Sequence, residues 1–150
     1  MTTEVRACSS AEIFDDPLGP PLIQEYAEEC GNALIGKPAP RRDMYENLEA
    51  SGLGQCFAAY EKGLLVGFAM VLVCVVPHYG LSLANAESLF VTRSAHCGGQ
   101  LMKALDDYAA AQGCVTIFYT APVGSRLAKL LFLCADEYVN TNHVFSKRLA

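Results

Sequence analysis

From residue 3 to residue 8 the chain reads T-E-V-R-A-C, polar and apolar in turn, the period of a strand with one face against a core. Ser9 and Glu12 follow at the S-x-x-E spacing of a capping box and open a helix or turn. The breaker run D-P-L-G-P-P, residues 16–21, ends it, and Pro21 suits the first position of a second helix. Leu22, Ile23, Tyr26, Ala27 and Cys30 then fall on one face, and Gly31 stops the helix. K-P-A-P-R-R, residues 37–42, reads as a loop, with Asp43 as the cap of a short helix through Leu48 that Gly52 closes. Strand patterns occupy residues 55–61, 64–76 and 81–91, separated by Lys62-Gly63 and by His78-Tyr79-Gly80. Turns this short make the three strands antiparallel.

The period then changes. Residues 100–112 are helical, with Leu101, Leu105 and Tyr108 on one face and Gly113 at the end. C-V-T-I-F-Y, residues 114–119, is a further strand. A strand, a helix of about three turns and a strand form a βαβ unit, so strands 81–91 and 114–119 run parallel. Ser125 caps a last helix through about Cys134, with Leu127, Leu130 and Leu131 facing the core. Tyr138 to Leu149 reads as a closing strand. The predicted class is α+β: a mixed, mostly antiparallel sheet with one parallel pair, flanked by helices, in a single domain spanning residues 1–150.

Composition narrows the function. An apolar fraction of 52% with seven Phe and seven Tyr is that of a folded globule. The formal net charge of -5 argues against a nucleic-acid partner, which demands a clustered positive field. The basic residues gather late, at Arg93, Lys103, Arg126, Lys129, Lys147 and Arg148, a distribution that suits a small anionic ligand. Seven cysteines, an odd number without a CxxC pair, read as small core residues in a reducing compartment, not as a disulfide framework or zinc site. His78, His96 and His143 have no metal-ligand spacing. The N-terminus lacks the pattern of a signal peptide, and the apolar run 64–76 is too short to span a bilayer, so the expectation is a cytoplasmic protein without a membrane partner.

The candidate chemistry lies where E-S-L-F-V, residues 87–91, passes through T-R-S-A-H-C-G-G into the helix opened by Q-L-M, residues 100–102. The first turn of a helix carries free N–H groups and partial positive charge, and small residues let an anion approach them. This stretch resembles the acyl-CoA-binding segment of the GNAT superfamily of N-acetyltransferases. The family pattern is Arg or Gln, two residues, Gly, any residue, then Gly or Ala. Arg93 and Gly98 match its ends, Leu101 and Met102 match the apolar pair of the helix, and His96 stands at the first glycine. Glycine there serves positive φ or close approach, a conformation that costs a histidine energy. The element order is similar to the GNAT fold over nearly the whole chain. A-P-V-G-S-R-L-A-K-L-L and T-N-H-V-F-S-K-R-L resemble phage- or prophage-encoded members.

The resemblance implies a fold in which the parallel pair splays apart, and acetyl transfer from acetyl-CoA to an amine by direct attack in a ternary complex. It places Ser94, Ala95, His96, Cys97, Gly98, Gly99 and Gln100, with Arg93, at the cofactor's diphosphate, and the main chain of Phe90 and Val91 along its arm. Glu87 matches the family's general base. The tyrosine that often protonates the leaving thiolate is replaced by Phe132, so Tyr138 is the candidate donor, with Tyr119 and His143 behind it. The acceptor is a small molecule or a peptide amine, and a homodimer through the C-terminal strands fits the family. The two departures, His96 and Phe132, support an alternative: a catalytically degenerate GNAT fold acting as a phage interaction or virion module, with a phage or host protein as partner.

Overall fold

A computed structural model describes residues 2–149. Five strands form one sheet in chain order: β1 (Thr3–Cys8), β2 (Gly54–Glu61), β3 (Leu64–Val76), β4 (Leu81–Val91) and β5 (Ile117–Tyr119). The first four pair antiparallel, and β5 joins β4 parallel. The mixed α+β architecture expected from the sequence is therefore the one observed. Lys62 and Gly63, both at positive φ (52° and 76°), make the two-residue turn between β2 and β3.

Helices cover both faces. The alternation of β2 divides them: Phe57 and Ala59 point to one core, Cys56 and Ala58 to the other. On the first face lies α4 (Gly98–Ala111), burying Leu101, Leu105 and Ala109 against Ala69, Val71, Ala84 and Ala86. On the second lie α1 (Ser10–Asp15), α2 (Gly19–Glu29) and α3 (Arg42–Ala50), whose Ile13, Leu22, Tyr26, Tyr45 and Leu48 pack with Phe68, Met70 and Phe90. No helix among the described residues is long and apolar enough to cross a membrane.

Ser9 caps α1 through the expected capping box, its hydroxyl accepting from the Glu12 N–H while Glu12 accepts from the Ser9 N–H. The second helix begins two residues before Pro21, at Gly19, because α1 and α2 touch there: a β-carbon on Gly19 would stand 1.9 Å from the Ile13 carbonyl oxygen. Asp43 does not cap α3. The helix starts at Arg42, and Asp43 lies in its first turn with the Arg41 guanidinium on its carboxylate. Helix α4 opens at Gly98, two residues earlier than expected.

Three expectations for the last third are corrected. Regular pairing of β5 is confined to residues 117–119, although Val115 N–H already donates to Ser82 and Thr116 accepts from Ala84. The last helix, α5 (Arg126–Leu133), is capped by Ser125 as expected but buries none of its residues, and Leu130 is exposed. Residues 138–149 form no strand. Their apolar members Val139, Val144, Phe145 and Leu149 are all exposed, so the segment buries no face against the sheet.

Candidate functional site

The register of β4 shifts once. Met70 faces Ser88 and Val71 faces Ala86, leaving Glu87 as the extra residue of a bulge. A bulge bends its strand and re-aims a side chain. Here Glu87 turns to the face of α2 and α3, where the Tyr45 hydroxyl donates to its Oε2 at 2.9 Å. Burial, with the Glu87 charge second, pushes the Tyr26 phenol up to about 12; the same two causes raise Tyr45 further. Both phenols therefore stay protonated beside the carboxylate.

At the same point β5 leaves the sheet. The last pair with β4 is Ala86 with Tyr119, while β4 continues to Val91. The parallel pair is thus joined at one end and open at the other, with Glu87 at the fork. Phe90 is buried between Tyr26 and Phe68, so its side chain belongs to the core and its main chain alone is available. The Val91 carbonyl, beyond the fork, accepts from Arg126 Nη2 at 2.7 Å.

The segment after β4 builds the other half of the site. Thr92 N–H donates to Val66, and Ala95 N–H closes a turn onto Thr92. Ala95 and Cys97 are buried and anchor the loop from below, while Ser94, His96, Gly99 and Gln100 are exposed. Burial, then the Glu61 charge, raises the Cys97 thiol, which leaves it a packing residue. His96 adopts no positive φ; among the described residues Lys62 is the one non-glycine that does. The histidine is thus carried without the cost expected of a left-handed backbone.

No side chain caps α4, and β-carbons built on Gly98 and Gly99 meet nothing within 4 Å. Free first-turn N–H groups beside open space, with Arg93 at the loop mouth, fit an acyl-CoA diphosphate in charge and shape. Two carboxylates touch this region. Glu61 accepts from the His96 N–H at 3.4 Å, and Glu29 receives both Arg93 and Arg126.

Of the other candidates, Tyr119 ends β5 at the fork and Tyr138 packs on it. The Tyr138 hydroxyl donates to Asp106 Oδ2 at 2.7 Å and the Tyr119 hydroxyl to Asp106 Oδ1 at 2.6 Å, with the two rings edge to face. Burial first, and the hydrogen bond to Asp106 next, hold both phenols well above the usual range. Phe132 is 68% exposed, and His143 stands in the exposed tail near Phe145.

One hollow reaches Tyr45, the hydrogen-bond partner of Glu87. This cavity, of about 20 Å³, is lined by Ile13, Phe14, Ile23, Tyr45 and Ser88. It shares Phe14, Ile23 and Pro40 with an open groove of about 540 Å³ between α2 and the 38–41 loop. Sequence reasoning named Glu87, and Arg126 among the late basic residues, but missed Tyr45, Glu29 and Glu61. Nothing in the spacing marks them, because each reaches the site from an element distant in the chain.

Neither a family model nor a curated protein matches the sequence. Solved structures do match over the whole chain. The ribosomal-protein-alanine N-acetyltransferase of Brucella melitensis biovar Abortus 2308 is 18% identical, with 100% of this chain and 97% of that one covered and a TM-score of 0.70. An aminoglycoside acetyltransferase from an uncultured soil metagenomic sample is 19% identical, covered 100% and 99%, at 0.73. Glucosamine-6-phosphate N-acetyltransferase from Arabidopsis thaliana is 14% identical, covered 100% and 100%, at 0.71. The chain has the GNAT fold.

Proposed function

We propose that this protein is an N-acetyltransferase that moves acetyl from acetyl-CoA to an amine by direct attack in a ternary complex. The observation that carries the reading is Glu87: a carboxylate on a bulge, at the fork of the parallel pair, one strand end away from an uncapped helix. Acetyl-CoA supplies the activated acetyl thioester. Arg93 and the free first-turn N–H groups of Gly98, Gly99 and Gln100 bind its diphosphate, and the main chain of Phe90 and Val91 orients its arm along the free edge of β4. Glu87 takes the proton from the acceptor ammonium, directly or through water, so that the neutral amine attacks. Tyr45 fixes the carboxylate from the α3 side. Tyr138, committed to Asp106, serves as an anchor for the tail in this reading, and the thiolate departs into solvent.

The neighbours are acetyltransferases of different acceptors, a ribosomal protein, aminoglycosides and glucosamine 6-phosphate, which supports acetyl transfer in general and leaves the acceptor to the groove. One observation favours the rival, a non-catalytic interaction module: the exposed apolar side chains of Phe132, Leu133, Val139, Val144 and Phe145.

Calorimetry with acetyl-CoA separates the two. The wild type binds, and Gly98→Glu, which the open space at Gly98 admits without strain, abolishes binding by placing a carboxylate at the helix start. A folded wild type that takes up no acetyl-CoA at millimolar concentration sinks the enzyme reading.

A further inference from the structure

Glu29 is the last residue of α2, whose final turn carries no basic residue. A carboxylate there meets the negative end of the helix dipole, so the helix gains nothing from it. Its partners explain its place. Arg93, from the loop after β4, donates at 3.3 Å to one oxygen, and Arg126, the first residue of α5, donates to the other. Glu29 is 17% exposed against 75% for Arg93 and 44% for Arg126. Burial works against its charge, yet the two guanidiniums prevail and hold it below the usual carboxylate range.

Two guanidiniums on one carboxylate leave an excess positive charge, and one of them, Arg93, belongs to the loop that leads into the uncapped start of α4. The pair is matched to an anion carrying more charge and more acceptor oxygens than a carboxylate, as a diphosphate ester does. Arg126 has a second task. Its Nη2 holds the Val91 carbonyl, the main-chain group beyond the fork, and its guanidinium lies 5.7 Å from the Phe90 ring centre. While it stays there it occupies the edge of β4 along which the cofactor's arm would run.

We infer that Glu29 is an internal stand-in for the cofactor's diphosphate, and that Arg126 is a latch which leaves Glu29 and the Val91 carbonyl when the diphosphate arrives. Anion binding at the mouth then opens the strand edge for the arm. The inference rests on the acetyl-CoA reading above and adds to it a competing carboxylate and a second arginine. It predicts opposite signs for two substitutions. Removing the charge of Glu29 removes a competitor, and removing that of Arg126 removes a ligand.

The test is calorimetry of coenzyme A and of pantetheine, which lacks the diphosphate, with wild type, Glu29→Gln and Arg126→Gln, each checked by thermal melting. Glu29→Gln is expected to bind coenzyme A about fivefold tighter and pantetheine unchanged, and Arg126→Gln to bind coenzyme A about tenfold more weakly. A folded Glu29→Gln whose coenzyme A affinity is unchanged or weaker overturns the inference, as does an Arg126→Gln that binds coenzyme A like the wild type. Should Glu29→Gln fail to fold, the Arg126→Gln arm decides alone. A wild type that binds no coenzyme A overturns the acetyl-CoA reading and this inference together. That result differs from a wild type that binds while its variants do not respond.

Discussion

Glu87 owes its position to one extra residue in β4. Without the bulge the strand would keep strict alternation, and Glu87 would lie opposite a residue of β3 instead of at the fork. The nearby phenols of Tyr26 and Tyr45 remain protonated, so the carboxylate is left as the proton acceptor of the cluster. Glu87→Gln keeps the Tyr45 hydrogen bond and loses the base. Turnover is expected to fall about 100-fold with acetyl-CoA affinity unchanged, in steady-state kinetics paired with calorimetry. Full turnover by that variant would move the base elsewhere.

Among the elements, α1 and α2 are the least forgiving join. Alanine at Gly19 improves helix propensity by about 1 kcal/mol. It also puts a β-carbon 1.9 Å from the Ile13 carbonyl oxygen, which is backbone and cannot turn aside. The overlap wins, and Gly19→Ala is expected to cost about 2–3 kcal/mol, read as a melting point lower by roughly 5–10 °C. Hairpins and amphipathic helices were legible in the sequence because their signals are local: Lys62-Gly63, the Ser9 box, Leu101 and Leu105 four apart. The start of α2 was not, since Gly19 is dictated by a neighbour across space. The closing strand over 138–149 failed for a different reason. Val139, Phe145 and Leu149 do keep the even spacing of one strand face, but all three are exposed, and spacing alone does not say whether a sheet edge receives them. Tyr138, read as a strand residue and a proton donor, is spent on Asp106. In the site, the loop 93–100 was legible as a strand–turn–helix pattern, and Glu87 through the family resemblance alone. The carboxylates that close on it were not, because Glu29 and Glu61 reach it only through the tertiary fold.

At the scale of the molecule, ionisable groups bound the stable pH range on both sides. The Ser9 N–H and then Arg6 depress Glu12, Arg42 depresses Asp15, Arg41 depresses Asp43, and the arginine pair overcomes burial to depress Glu29. A depressed carboxylate stabilises above its ordinary value, 3.8 for Asp and 4.5 for Glu, and that stability is lost as the pH falls through the folded value. On the alkaline side, burial raises Cys8 from 9.0 and Tyr26 from 10.0 to about 12. Their contribution is complete below the ordinary values and disappears as the pH climbs to about 12. Melting points should be level from about pH 5 to about pH 8.5 and decline on either side. A midpoint that rises on acidification below pH ~4 would contradict the assignment of the ion pairs. The sheet has one further consequence. Its strands stand side by side in the order in which they are synthesised, β1-β2-β3-β4-β5. On the ribosome β3, β4 and β5 each emerge beside an edge that is already complete, while β1 alone waits, for β2. The fork between β4 and β5 forms with the last strand to emerge, so the nascent chain has most of its scaffold before it has a place for a ligand.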